Sequence, residues 1–154
     1  MRTQAAPGLA LAAVWLLATT AGPTAVDTPS DLPVYRAYAE ALQAGLLPYR
    51  DFALEYPPLA LFPIGAGGVL GLGEATYAAV FGALMLLAAL VVQREAALLG
   101  GPRAAWLMVA LPVALGALVR TRFDLVPAAL AVAGIATLVV RARPRAAFAL
   151  LAVG

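Results

Sequence analysis

Carboxylates and phenols are concentrated in one polar stretch, DLPVYRAYAEALQAGLLPYRDFALEYPP at residues 31–58, between strongly apolar segments. A second polar cluster, RTRFD, occupies residues 120–124. The sequence contains no Cys and no His, which removes thiolates and the commonest neutral base and metal ligand. Acid–base chemistry within these residues must therefore rely mainly on Asp, Glu or Tyr.

The first part of the polar stretch predicts an amphipathic helix at residues 32–44. Ser30 or Asp31 is a suitable N-cap, Pro33 falls in the first turn, and Gly45 is a natural stop. Helical spacing brings one carboxylate, two phenols and two apolar groups to one face: Asp31, Tyr35, Tyr38, Ala39 and Leu42. Such a face suits the edge of a cavity that holds a sugar ring. The alternative is an N-cap followed by tyrosines of the interfacial aromatic belt.

The second part of the stretch is a loop with proline near both ends. Pro48 and Pro57 favour extended backbone in the residues before them, and a stiff loop loses less entropy when it binds a ligand. Its candidate substrate-binding residues are two phenols and two carboxylates: Tyr49, Asp51, Glu55 and Tyr56. The alternative is structural, with a surface ion pair between Arg50 and Asp51 and with Glu55 near the positive end of the next helix.

The arginine junction, residues 120–124, places two guanidinium groups in a short segment. Arginine matches phosphate oxygens bidentately, so Arg120 and Arg122 are candidates for binding a lipid phosphate. In the alternative, Arg120 complements the end of one helix and Asp124 the start of the next, and the two pair at i, i+4 spacing.

The composition predicts an all-α polytopic membrane protein. Of the 154 residues, 64% are hydrophobic and 12% are charged, against about 45–50% and about 25% in soluble domains. A net charge of +2 is too small to indicate a nucleic-acid partner. The dominance of Ala, Gly, Pro, Leu and Arg is typical of a GC-rich bacterial genome.

Six apolar segments are separated by charged or polar junctions. A spanning helix needs about 20 residues, so the predicted spans are residues 7–26, 75–93, 104–119 and 125–140. Residues 58–72 are short and rich in Gly and Pro, which favours an interfacial or re-entrant helix. The segment 7–26 could instead be a secretory signal peptide. Residues 146–154 are too short to cross, so we expect the sequence to be the N-terminal part of a longer protein, ending at the start of a further span.

The distribution of arginine predicts the orientation of the chain. With residues 1–6 in the cytoplasm and 58–72 not crossing, six arginines and one carboxylate lie inside, and four arginines and seven carboxylates lie outside. This topology places the outer loop, residues 27–57, and the arginine junction on the same extracytoplasmic side. If residues 58–72 crossed, two arginine-rich loops would move outside, against the usual bias.

The polar stretch also resembles a known family. The run from Asp31-Leu-Pro-Val-Tyr35 to Glu55-Tyr56-Pro57-Pro58-Leu59 is similar to the first outer loop of glycosyltransferase family 87, bacterial membrane mannosyltransferases of the C-type superfamily. Residues 122–127, RFDLVP, resemble the family's arginine–aspartate junction. The resemblance covers roughly residues 10–150, about a third of a full family member.

The resemblance implies a transmembrane helix bundle in the bacterial plasma membrane with an active site at the outer face. It implies inverting transfer of a hexose, usually mannose, from a polyprenyl-phosphate donor to a lipid or glycan acceptor, with an acidic residue of the first outer loop as base. That role falls to Asp31, with Asp27 the less favoured candidate. The two carboxylates are four residues apart and form no close acidic pair, so the resemblance implies no definite cofactor and leaves metal dependence open.

These residues predict a mechanism and leave two competing functions. Asp31 would take a proton from the acceptor, and Arg122, with Arg120 in reserve, would stabilise the departing phosphate. Tyr35, Tyr38 and Tyr56 would stack on sugars or donate hydrogen bonds, and Glu55 would hold sugar hydroxyls. The competitors are a multi-span transporter or flippase, which would favour ionisable residues inside spans, and a non-catalytic membrane fragment, since the fragment alone is expected to lack a complete site.

Overall fold

The computed structural model describes residues 5–22, 30–69 and 73–153. The described residues are mainly helical and contain no β-strand, which confirms the all-α prediction. The helices are α1 (Ala5–Thr20), α2 (Leu32–Gln43), a 3₁₀ turn (Pro58–Ala60) leading into α3 (Leu61–Val69), α4 (Glu74–Val109), α5 (Leu111–Leu115), α6 (Leu118–Thr121), α7 (Leu125–Val139) and α8 (Pro144–Val153). The end of the predicted first span (residues 23–26), Asp27, residues 70–72 and Gly154 lie outside the described residues.

Helix α4 is a hairpin of two helical arms. Gly101 interrupts it with φ 75° and ψ −170°, and Pro102 begins the second arm. The Gln93 side chain donates a 2.9 Å hydrogen bond to the carbonyl of Ala105, although residues twelve apart on a straight helix are separated by about 18 Å. The chain therefore reverses direction at Gly101.

Among the described residues, α4 is the one helix that is long and apolar enough to cross a membrane by length and composition. Its first arm, residues 74–100, is about 40 Å long at 1.5 Å per residue, against about 30 Å of bilayer hydrocarbon. The remaining apolar helices α1, α7 and α8, and the segment Pro58–Gly68, are each 10–17 residues long. The multi-pass arrangement thus stays a prediction.

Two boundaries differ from the sequence prediction. The sequence predicts a span that ends at residue 93, but the helix continues to Gly100 because Arg, Glu, Ala and Leu all favour helix, and the chain turns at Gly101. The segment 104–119 was expected to be one span, but the second arm of α4 ends at Val109 and two short helices follow. Pro112 lacks an N–H donor, and Gly116 has φ 56°, which together break the helical ladder.

The glycines of helix α3 allow it to pack closely against α2. It packs against α2 and α4, and the Tyr77 hydroxyl donates a 2.9 Å hydrogen bond to the carbonyl of Ile64. A Cβ on Gly68 would lie 2.2 Å from the Cβ of Ala39, so only glycine allows the two helices to approach this closely. The short apolar segment after the outer loop therefore forms the surface against which α2 packs.

Substitution Gly68→Ala should destabilise the protein by about 1–3 kcal/mol, because the added methyl group overpacks a helix contact. Gly65→Ala is the matched control, since its Cβ would meet only the tip of Leu42 at an ordinary 3.6 Å. Thermal unfolding of the detergent-solubilised protein measures both. Equal stability of the two variants would contradict the close α2–α3 contact.

The core joins α1, α2, α3 and the first arm of α4. Its largest fully buried side chains include Leu11, Tyr35, Ile64, Phe81 and Met85. At the Gly101 end of this core, the buried Gln93 side chain also donates a 3.0 Å hydrogen bond to the carbonyl of Pro7, joining the start of α1 to both arms of α4. The other end of the core, around Tyr35 and Phe81, contains the candidate site.

Candidate functional site

The Asp31 carboxylate lies at the start of α2 and contacts the arginine junction. Asp31 occupies the N-cap position but makes no side-chain capping bond; the Ser30 Oγ instead accepts a 3.3 Å hydrogen bond from the Leu32 N–H. Asp31 Oδ2 lies 3.2 Å from Arg122 Nη1. The structure thus brings together two predicted site residues that are 91 positions apart.

The Tyr35 hydroxyl lies beside that ion pair. It is 3.4 Å from Asp31 Oδ2, 3.1 Å from the Tyr56 hydroxyl and 3.2 Å from the Phe123 backbone N–H, which donates to it. One phenol oxygen therefore connects α2, the outer loop and the arginine junction. Asp31 Oδ1 has no hydrogen-bond partner within the described ranges, and the Asp31 side chain keeps 28% of its surface exposed.

Three aromatic contacts surround this hydroxyl and exclude water from it. The Tyr35 ring packs edge-on against Tyr56 at 5.5 Å and tilts against Phe81 at 5.2 Å, and Tyr56 packs edge-on against Phe123 at 5.7 Å. Tyr35 is 1% exposed. Burial raises the pKa of Tyr35 well above its usual range, so the phenol stays protonated. Its ring offers no free face for stacking on a sugar.

The outer loop is held by its own polar contacts. Asp51 Oδ2 accepts hydrogen bonds from the Leu47 N–H at 2.9 Å and from Arg50 Nη2 at 2.8 Å. The guanidinium of Arg50, followed by the Leu47 N–H, lowers the pKa of Asp51 below its usual value, and Asp51 in turn raises the pKa of Arg50. The Tyr49 hydroxyl bonds the carbonyl of Tyr56. These contacts match the structural alternative, in which Arg50 and Asp51 form a surface ion pair. The bond from the Tyr49 hydroxyl holds the backbone of Tyr56 in place.

Three further predicted residues lie around the site without joining its hydrogen bonds. The Tyr38 ring stacks on Phe52 at 5.8 Å. Glu55 and Asp124 are exposed. Asp124 precedes α7 without a side-chain capping bond, and the expected Arg120–Asp124 ion pair is not found among the described side chains. Of the structural alternative for the arginine junction, the ion pair is missing from the described part of the chain, but Arg120 does lie in the last turn of α6 and Asp124 at the N-cap position of α7.

Arg120 is a partly buried cation whose Nε atom has no hydrogen-bond partner. It faces α4 near Gly82, where an added Cβ would lie 3.8 Å from Arg120 Cβ. Gly82 is about 12 Å along α4 from its first residue at 1.5 Å per residue. A buried guanidinium nitrogen without a partner is costly, which makes Arg120 a candidate for binding an anion.

Two apolar grooves flank the site, one on each side of the start of α7. The first has a volume of about 390 Å³ and is lined mainly by aliphatic side chains of α4, α5, α6 and α7, with Arg122 and Asp124 as its charged residues. The second, about 240 Å³, is lined by apolar residues that include Phe62, Phe123 and Val126. The first groove can therefore accept a hydrocarbon chain with an anionic group at Arg122.

The described residues contain no cluster of three or more side chains able to hold a metal ion. Asp31 is the acidic group at the site, and the second acidic candidate, Asp27, lies outside the described ranges. The chemistry that these side chains offer is a carboxylate with one open oxygen, a neighbouring guanidinium and phenols.

The sequence did not predict that the Tyr35 hydroxyl contacts three segments of the chain, or that the Phe123 N–H donates a hydrogen bond to it. The helical spacing placed Tyr35 on the face of Asp31, but no sequence signal separates a phenol that lines a cavity from one that is buried beneath it. The Tyr35–Phe123 bond joins residues 88 positions apart and is visible only in three dimensions.

No protein-family model, curated protein or solved structure matches this chain.

Proposed function

We propose that this protein is a multi-pass membrane glycosyltransferase that moves a hexose, mannose in the family it resembles, from a polyprenyl-phosphate donor to a lipid or glycan acceptor at the extracytoplasmic face of a bacterial plasma membrane. The observation that carries the proposal is the contact between Asp31 and Arg122 at one end of an apolar groove. A base and a phosphate-binding cation must lie on opposite sides of one sugar, so these two groups, 3.2 Å apart without donor, must separate when a donor binds.

The donor fits the first groove by its chemistry. A polyprenyl chain is apolar and suits the aliphatic lining, and its phosphate suits the Arg122 guanidinium at the same groove. Arg120 supplies a second cation along the same junction. Because the groove opens on the surface of an apolar helix bundle, a lipid donor can enter sideways from the bilayer.

The proposed reaction uses the open oxygen of Asp31 and the guanidinium of Arg122 beside it. The acceptor hydroxyl oxygen attacks the anomeric carbon from the face opposite the phosphate, and the bond between that carbon and the phosphate oxygen breaks. Asp31 Oδ1 takes the hydroxyl proton as the new bond forms, a general-base step worth roughly 10²–10⁴-fold. The phosphate departs with the bonding electrons, and arginine stabilises its growing charge. The configuration at the anomeric carbon inverts.

The Asp31–Arg122 ion pair describes the site without donor. A donor phosphate competes with Asp31 for the guanidinium, since both are anions that bind arginine through oxygen. Donor binding thus loosens one contact of Asp31 at the moment when the carboxylate must act as a base. The ion pair keeps both groups near each other until the substrate arrives.

The test uses membranes that carry the complete gene product containing these 154 residues. They are supplied with radiolabelled polyprenyl-phosphate mannose, and the lipid and glycan fractions are separated afterwards. Label should move from the donor into an acceptor fraction only in membranes with the protein. If label stays in the donor, or if the donor crosses the bilayer unchanged, the glycosyltransferase proposal is wrong and transport becomes the better explanation.

Arg122→Ala should lower kcat/KM for the lipid donor about 10–100-fold, because a charge-assisted contact to phosphate is worth about 1.5–3 kcal/mol. Arg36→Ala is the matched control, because Arg36 pairs with Glu40 and Glu74 on the opposite side of α2 at similar exposure. Membrane insertion is measured in parallel by alkaline extraction. Equal losses of insertion and activity in Arg122→Ala would favour a structural role.

A further inference from the structure

The buried hydroxyl of Tyr35 is the polar group through which three distant segments meet at Asp31. We infer that Tyr35 is a positioning residue, which keeps its contact to Asp31 Oδ2 when a donor phosphate draws Arg122 away, so that Oδ1 is left to accept a proton. This inference rests on the proposed transferase function. It replaces the expectation that Tyr35 contacts the sugar, because a ring that is 1% exposed cannot reach substrate.

The hydrogen count at the Tyr35 oxygen supports this role. The oxygen accepts the Phe123 N–H at 3.2 Å, and we assign its single hydrogen to Asp31 Oδ2, 3.4 Å away, because a carboxylate can only accept. The Tyr56 hydroxyl at 3.1 Å must then be the donor in the Tyr56–Tyr35 contact, because a phenol carries one hydrogen. Two donors to the Tyr35 oxygen polarise its O–H bond and strengthen its donation to the carboxylate.

The same contacts fix the carboxylate's orientation. Tyr35 and Arg122 both reach Oδ2 and approach from different elements, α2 and the arginine junction. A carboxylate held through one oxygen has its other oxygen in a defined place. Within residues 30–69 and 73–153, the charged and titratable groups that contact Asp31 are Arg122 and Tyr35, with Tyr56 one hydrogen bond behind.

Tyr77 provides a matched comparison for a purely structural phenol. It is 2% exposed, its ring stacks on the same Phe81 at 6.4 Å, and its hydroxyl donates one hydrogen bond to the carbonyl of Ile64. Tyr35→Phe and Tyr77→Phe each remove one buried hydroxyl beside Phe81. Only the first removes a contact to Asp31.

The experiment measures kcat, donor KM and the pH profile of both variants in the complete membrane protein. Tyr35→Phe should lower kcat about tenfold with donor KM unchanged within twofold. The acidic limb of its rate profile should move to higher pH, because the variant removes a hydrogen bond donated to the Asp31 carboxylate. Tyr77→Phe should lower thermal stability and leave the pH profile in place.

The outcomes separate the two proposals. If the wild-type protein transfers no sugar, the proposed function fails regardless of Tyr35. If the wild type is active and Tyr35→Phe shows an unshifted pH profile, or a loss no different from Tyr77→Phe, the positioning role is overturned while the function stands. Should Tyr35→Phe fail to accumulate, 3-fluorotyrosine at position 35 keeps the shape and strengthens the donor. It should move the acidic limb to lower pH, and an unmoved limb would overturn the inference.

Discussion

Asp31→Asn should remove sugar transfer almost completely, by roughly 10²–10⁴-fold, while the protein still inserts into the membrane. The amide keeps the shape of the carboxylate, and its oxygen can still accept the Tyr35 hydrogen bond, but it cannot take the acceptor proton. Because the Asp31 side chain is 28% exposed and makes no capping bond to α2, its neutralisation should cost the fold little. The assay is transfer of radiolabelled mannose from the polyprenyl-phosphate donor.

Two companion variants sharpen this prediction. Glu40→Gln makes the same chemical change on the same helix, at an exposed residue that pairs with Arg36, and should keep full activity. Asp31→Glu restores the charge with a longer reach and should recover only part of the rate. Wild-type-like transfer by Asp31→Asn would falsify the base assignment, and loss of the protein from the membrane would show that Asp31 stabilises the fold.

The sequence alone was sufficient to predict helix α2, which begins directly after Asp31. The N-terminal polar residues, the proline in the first turn and the glycine after the last turn predicted residues 32–44, and the structure has Leu32–Gln43, with Gly45 at φ 77°. These signals are local, so a single stretch of chain contains them. The placement of Tyr35 and Ala39 on one face was also correct, because helical periodicity alone determines it.

The arrangement of the site could be predicted only in outline. Orientation by arginine placement put residues 31 and 122 on the same side, and the structure brings them within 3.2 Å. The direction in which each side chain points depends on packing of α2 against α3, where Gly68 permits a contact that no periodicity reveals. For the same reason the sequence did not distinguish Asp51, whose carboxylate is bound to its own loop, from Asp31, which has an open oxygen.

A second ion pair, at the end of the bundle away from the candidate site, differs from the Asp31–Arg122 pair because its carboxylate is buried. Glu95, on the first arm of α4, is 4% exposed and accepts two hydrogen bonds from Arg141 Nη2, at 2.9 and 2.8 Å. Arg141 follows α7 and also bonds the Thr137 hydroxyl at 3.3 Å. Arg94 approaches Glu95 at 3.3 Å from a largely exposed position. This cluster joins the C-terminal end of α7 to the first arm of α4.

Arg141→Met should destabilise the protein by about 3–5 kcal/mol, because it leaves the Glu95 carboxylate buried without its main partner. Glu95→Gln should destabilise the protein less than Arg141→Met does, since Arg141 is 29% exposed and can turn its charge toward water. Arg94→Met, which removes the exposed partner of the same carboxylate, should cost at most about 1 kcal/mol. Thermal unfolding in detergent ranks the three variants.

The double variant Glu95→Gln/Arg141→Met distinguishes a lost attraction from an isolated buried charge. Once the carboxylate is neutral, removal of the arginine no longer leaves a charge without a partner, so the double variant should be more stable than Arg141→Met alone. Additive losses would mean that the arginine acts by packing of its stem. Because α7 begins next to Arg122, weaker docking of α7 should also reduce donor use in Arg141→Met, and recovery of donor use in the double variant would link the two ends of the bundle.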